Sequence, residues 1–281
     1  MRRAPVHTVV FLLVSLGLVS CGSGPKSHDE GKPMGWTGVL DEASFAALHD
    51  LKQGAVAEPL HGQDIEIDGQ RAYLSLPAGA KAPLPAVLVI HEWWGLNDHI
   101  RHWADRLAAD GYAALAVDLY GGHTATTREE ATALMRAVDE NAARATLLRA
   151  HRFLAEDPRI RATRRGVVGW CFGGGWSLQL ALAAPDLDAS VVYYGRLVTD
   201  VEALRAIHAP MLGVFGNRDQ GIPPASVDAF AAAMKEAGRD LRVLRYDADH
   251  AFANPSGARY DANNAAAAWA EVRSFLAAKL R

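Results

Sequence analysis

The chain has 281 residues, of which 50% are hydrophobic and 22% charged, with 29 Lys+Arg against 32 Asp+Glu. The apolar fraction excludes a disordered or collagen-like chain. The near-neutral balance supplies no broad basic field, which disfavours nucleic acid, and no nucleic-acid partner is expected.

Taken in chain order, the first segment reads as a signal. Arg2 and Arg3 precede an almost purely apolar run over residues 9–19, too short to span a bilayer comfortably. Leu18-Val19-Ser20-Cys21-Gly22 follows and resembles the lipobox of bacterial lipoproteins. That resemblance implies cleavage before Cys21 and a lipid on its sulfur, which would make the membrane a partner. Gly22 is not the aspartate associated with retention at the inner membrane, so the expected location is the periplasmic face of the outer membrane. Residues 1–20 are then the signal peptide and residues 21–36 a lipidated, Gly/Pro-punctuated tether. Residues 37–69 read as an N-terminal extension with a short amphipathic helix at 41–51, and residues 70–281 as the main domain. Cys21 and Cys171 are the chain's two cysteines. With Cys21 lipidated, Cys171 has no partner for an intrachain disulfide.

Residues 65–76 predict a strand pair around the turn Asp68-Gly69. The chain then alternates. Strands are predicted at 86–90, 112–117, 165–169, 190–194, 211–216 and 241–246. Helices are predicted at 100–109, 128–141, 142–154, 174–184, 201–206, 226–236 and 263–280. The short continuous apolar runs suit strands buried on both faces. Strands alternating with helices predict an α/β fold, a mostly parallel central sheet with helices on both faces.

In such sheets the chemistry gathers beyond the carboxyl ends of the strands. Gly169-Trp170-Cys171-Phe172-Gly173-Gly174 follows one strand and opens a helix. It has the nucleophile-elbow pattern with cysteine in the serine position. Asp219 and His250 each follow a later strand. The chain order Cys171, Asp219, His250 suits an α/β-hydrolase triad of nucleophile, orienting carboxylate and base. His91-Glu92-Trp93-Trp94-Gly95 follows the strand at 86–90, where half of an oxyanion hole is expected. The backbone N–H groups of Trp93 and Phe172 are assigned to that hole. Trp93, Trp94 and Trp170 are the tryptophans expected nearest the nucleophile. His91, His99 and His102 lack the spacing of a metal site, and no dinucleotide fingerprint occurs, so neither a metal nor a cofactor is expected.

These motifs make residues 70–280 similar to the dienelactone hydrolase family, which has the α/β-hydrolase fold. The resemblance implies hydrolysis of small carboxylic esters or lactones through an acyl-thioester on Cys171. It implies that Glu92 contacts the resting thiol and helps to generate the thiolate. Arg128 matches an arginine that grips the substrate carboxylate. The family's second such arginine falls at Asn254, a departure that puts dienelactone itself in doubt as substrate, with Arg259 as a substitute from the following loop. Two other readings of the same residues are a non-catalytic small-ligand-binding lipoprotein on a hydrolase scaffold and a thiol redox sensor.

Overall fold

The structure is a computed structural model that describes Met1 and residues 59–281. The expected signal segment beyond Met1, Cys21, the tether at 21–36 and the helix at 41–51 lie outside the described residues.

Strands β1 (Gln63–Ile67), β2 (Gln70–Ser75), β3 (Ala86–Ile90), β4 (Ala113–Val117), β5 (Arg165–Trp170), β6 (Ala189–Tyr193), β7 (Met211–Gly216) and β8 (Leu241–Tyr246) form one eight-stranded sheet. Among the described residues the helices are α1 (Asp98–Ala109), α2 (Arg128–Ala137), α3 (Glu140–Glu156), α4 (Phe172–Ala183), α5 (Val201–Leu204), α6 (Pro224–Glu236) and α7 (Ala262–Leu280). The strand order is β1-β2-β4-β3-β5-β6-β7-β8, antiparallel across β1/β2 and β2/β4 and parallel elsewhere. The β1/β2 hairpin turns at Asp68 and Gly69, both at positive φ (50° and 78°). β1 lies inside the stretch expected to be an extension, so the sheet begins before residue 70.

Why the central strands read as continuous apolar runs is visible in β3, whose five residues AVLVI are all buried. Ala86, Leu88 and Ile90 face one core, with Leu147 of α3, Leu178 of α4 and Phe230 of α6. Val87 and Val89 face the other, with Trp103 of α1 and Val272 of α7. Each fully buried Leu, Val or Ile contributes about 1.5–3 kcal/mol, and the two-sided burial leaves no room for a polar alternation.

The predicted helix pair at 128–141 and 142–154 breaks earlier than expected. Val138 is extended at the C-terminus of α2, and Asp139 caps α3 by accepting the Ala142 N–H. The chain runs from β3 to β4 on one side and returns to β5 on the other side of β3. The strand order therefore reverses at β3, and a crevice forms beyond the carboxyl ends of β3 and β5. His91-Glu92-Trp93 and Cys171 leave the sheet at that point.

Candidate active site

β5 ends at Trp170 and α4 begins at Phe172, so Cys171 alone makes the turn, at φ 54° and ψ −114°. A non-glycine residue held there costs about 1–3 kcal/mol. Its neighbours make the turn possible. A Cβ at Gly169 would sit 2.2 Å from the Gly173 carbonyl oxygen, and one at Gly173 would sit 2.2 Å from the Ile90 oxygen. Only glycines let the elbow press this closely on the end of β3. Burial, then the charge of Glu92, push the Cys171 thiol up to about 12, against the Phe172 N–H and the Arg259 charge. The resting sulfur is thus a thiol that needs a proton acceptor.

That acceptor is in place. His250 Nε2 lies 3.2 Å from Cys171 Sγ, and His250 Nδ1 lies 2.7 Å from Asp219 Oδ2. The Asp219 contact puts the ring proton on Nδ1 and leaves Nε2 free to accept from the thiol. Asp219 Oδ1 accepts the N–H groups of Gly221 (2.7 Å) and Ile222 (2.9 Å). Burial pushes the Asp219 carboxyl up, but its hydrogen bonds from His250, Ile222 and Gly221 and the nearby His250 charge outweigh this and hold it below its ordinary value. The loops that carry the two side chains pack backbone on backbone, since a Cβ on Gly216 would meet the Ala248 oxygen at 2.3 Å. Asn217 N–H donates to the Tyr246 oxygen and Arg218 N–H to the Ala248 oxygen. Arg218 also pairs with Asp247 at 2.9 Å.

On the β3 side His91 is a strut. Its Nδ1–H donates to the Glu92 oxygen at 2.6 Å, and its Nε2 accepts the Leu119 N–H at 3.1 Å. Its ring stacks on Phe172 at 5.5 Å. Burial lowers the imidazole's basicity, which keeps this neutral form. Glu92 is buried and accepts a hydrogen bond from Asn254 Nδ2, while Asn254 Oδ1 accepts the Ser256 N–H at 2.9 Å. Burial pushes the Glu92 carboxyl up to about 8, with the Asn254 hydrogen bond pulling the other way.

Several expectations change here. Asn254, predicted to meet substrate, is itself buried and spends its amide on Glu92. The thiol's hydrogen-bond partner is His250 rather than Glu92, which is close enough for its charge to act on the sulfur. Trp170 belongs to the core, 1% exposed, with its ring stacked on Trp103 at 4.7 Å and on Tyr193 at 5.5 Å. Trp93 and Trp94 pack on each other at 5.0 Å, and the Trp94 oxygen accepts the Ala125 N–H at 2.9 Å. Arg128 is exposed at the start of α2 and does not line the cavity at the thiol.

Cys171 and His250 open into a cavity of about 710 Å³ whose lining includes Phe172, Trp176, Tyr194, Arg136 and Arg196. Sequence reading missed Tyr194, which directly follows β6 at φ 34° and sets its ring 5.1 Å from that of His250. Its signal was its place at the same sheet edge as the other site residues. Arg259, in contrast, stands with His250, Arg218 and Gly221 around a second opening of about 430 Å³. Among the described residues no group of three or more His, Cys, Asp or Glu side chains could hold a metal ion.

Most of the chain is similar to known proteins. The model described as the dienelactone hydrolase family matches residues 70–280. A relative from Saccharolobus solfataricus that carries the name carboxymethylenebutenolidase is 34% identical, over 73% of this chain and 93% of its own length. The crystal structure of a Klebsiella pneumoniae protein described as a dienelactone hydrolase is 28% identical and superposes with a TM-score of 0.71, covering 77% of this chain and 98% of that one. A dienelactone hydrolase-like promiscuous phosphotriesterase from metagenomic libraries is 26% identical, with a TM-score of 0.71 and coverage of 78% and 98%. The sheet and its helices are those of the α/β-hydrolase fold.

Proposed function

The chain belongs to the dienelactone hydrolase family, and from that membership we propose that it hydrolyses small carboxylic esters or lactones through an acyl-thioester on Cys171. The observation that carries the reading is the single imidazole of His250 placed between Asp219, at 2.7 Å, and the Cys171 sulfur, at 3.2 Å.

The steps follow from that placement. The Cys171 proton passes to His250 Nε2 as the sulfur attacks the substrate carbonyl, and Asp219 stabilises the imidazolium. The N–H groups of Trp93 and Phe172 hold the negative oxygen of the tetrahedral intermediate. Collapse breaks the carbon–oxygen bond, and the imidazolium gives its proton to the leaving alkoxide. For a lactone that alkoxide stays attached to the acyl group. Water then enters, loses a proton to His250 and attacks the thioester. The carboxylic acid departs and the thiol is restored. Glu92 is mostly protonated at neutral pH through its burial, so its charge opposes the developing thiolate mainly at higher pH, where it ionises. Arg259, at the second opening beside His250, carries a charge that favours the thiolate.

Intact-mass spectrometry of the full chain, quenched while it turns over a p-nitrophenyl ester, tests the reading. An acyl adduct mapped to Cys171 is expected. Hydrolysis that persists in Cys171→Ala would reject it.

We also propose that the protein is exported and held by lipid on Cys21 at the periplasmic face of the outer membrane, on the strength of the apolar run and the Leu18–Cys21 pattern. No helix among the described residues is long and apolar enough to cross a membrane. Radiolabelled palmitate should enter the wild-type chain and not Cys21→Ala, and the label should fractionate with outer membrane.

A further inference from the structure

The cavity that opens from Cys171 and His250, about 710 Å³, is larger than an acetyl group or a single lactone ring needs. Much of its wall is apolar, built by Met135 and Val138 at the end of α2, Trp176 of α4, Leu197 and Val198 after β6, and Ile222 after β7. Its charged members, Arg136, Glu140 and Arg196, are exposed and of mixed sign. Exposed charges remain solvated and screened, so they contribute little to holding a ligand.

Met135 is the second observation. Met1 apart, it is the only exposed large hydrophobic among the described residues, at 38%. One exposed apolar side chain needs no explanation by itself, but this one lies on the wall of the cavity that holds the thiol. A flexible thioether there adapts to apolar ligands of varied shape.

We propose that this cavity selects uncharged esters or lactones that carry an apolar arm of roughly four to eight carbons, with Met135, Trp176 and Val198 among the specificity-determining residues. The assignment rests on the hydrolase reading above. It differs from what Arg128 led the sequence to suggest, because the thiol's cavity offers apolar wall where a carboxylate grip was expected.

The test measures kcat/KM of the full chain for two series, p-nitrophenyl acyl esters from acetate to octanoate and acetate esters of alcohols from ethanol to octanol. A fully buried methylene contributes about threefold to fourfold. At least about a tenfold rise between two and six carbons is expected in one series. Met135→Glu should lower the hexanoate-to-acetate ratio at least about threefold; Met and Glu form helix almost equally well, so α2 persists. A flat or falling profile in both series would overturn the assignment. So would a preference for the p-nitrophenyl hemisuccinate over the butyrate, or an unchanged ratio in Met135→Glu. Those results leave ester hydrolysis standing. Absence of hydrolysis across every substrate would instead overturn the hydrolase reading, and this inference with it.

Discussion

Asn254 Nδ2 lies 2.5 Å from Glu92 Oε2, a hydrogen bond that joins the loop after β3 to the loop after β8 across 162 residues of chain. The Ser256 N–H occupies Asn254 Oδ1 and so fixes which end of the amide faces Glu92. Asn254 can therefore only donate. An arginine in its place would have favoured the carboxylate as an ion pair. An amide supports a carboxyl group that burial pushes up to about 8.

A stability prediction follows from the sign of that shift. Glu92 holds its proton in the folded protein up to about pH 8, whereas an unfolded glutamate loses it near its ordinary value of 4.5. The unfolded state binds fewer protons between these values, so Glu92's contribution to stability is full below about pH 4.5 and is lost as pH rises towards about 8. Glu92→Gln keeps the acceptor for Asn254 and removes the titration. Urea unfolding near pH 5.5 and near pH 8 should show the wild type losing on the order of 3 kcal/mol more than Glu92→Gln. Parallel pH profiles would mean that Glu92 is ionised throughout. Tyr194, Cys171 and His99 also face this carboxyl, and all three remain in the glutamine variant.

Asp219→Asn should act through the tautomer of His250. The N–H groups of Gly221 and Ile222 both point at Oδ1, so the new amide must keep its oxygen there and turn its NH₂ towards His250 Nδ1. The imidazole proton then moves to Nε2, the atom that must accept from Cys171. A fall in kcat of about 10²–10⁴ is expected with KM little changed. A mild loss would show that Asp219 only shapes its loop.

The residues that were easiest to read are those whose signal is local. Buried runs located the central strands, and the glycines around Cys171 announced a turn too tight for side chains. The rest depended on distant partners. Nothing near Asn254 reveals that its amide meets Glu92. Trp170 adjoins Cys171 in sequence, yet it shares a face of β5 with Val168 and points into the core beside Trp103 and Tyr193. Arg128 and Met135 share α2, but only Met135 reaches the thiol's cavity. The α2/α3 break lacks glycine or proline, so its sequence offers little punctuation at Val138-Asp139.

Gly173→Ala tests the contact between the elbow and β3. The added Cβ would meet the Ile90 oxygen at 2.2 Å and the His91 oxygen at 2.6 Å, both backbone atoms that cannot swing aside. The elbow must separate from the loop that carries Glu92 and Trp93. We expect a loss of about 3 kcal/mol or more, seen as a thermal midpoint lower by about 6–12 °C. Hydrolysis should fall more steeply than stability, because the proposed N–H donors Trp93 and Phe172 move apart. A variant with full activity would place the oxyanion elsewhere.

Cys171 itself separates chemistry from strain. Both Cys171→Ala and Cys171→Gly remove the sulfur, and each should lower turnover at least about 10³-fold. They should differ in stability. The backbone at φ 54° and ψ −114° is strained for alanine and open to glycine. Introducing a flexible glycine lowers stability slightly through the unfolded chain, but release of the strain is the larger effect at such an angle. Cys171→Gly is thus expected to be more stable than Cys171→Ala by about 1 kcal/mol in urea unfolding. The reverse order would mean that the elbow relaxes once the thiol no longer lies against His250, and that the hydrogen bond between them, more than the glycine-lined turn, holds Cys171 in its conformation.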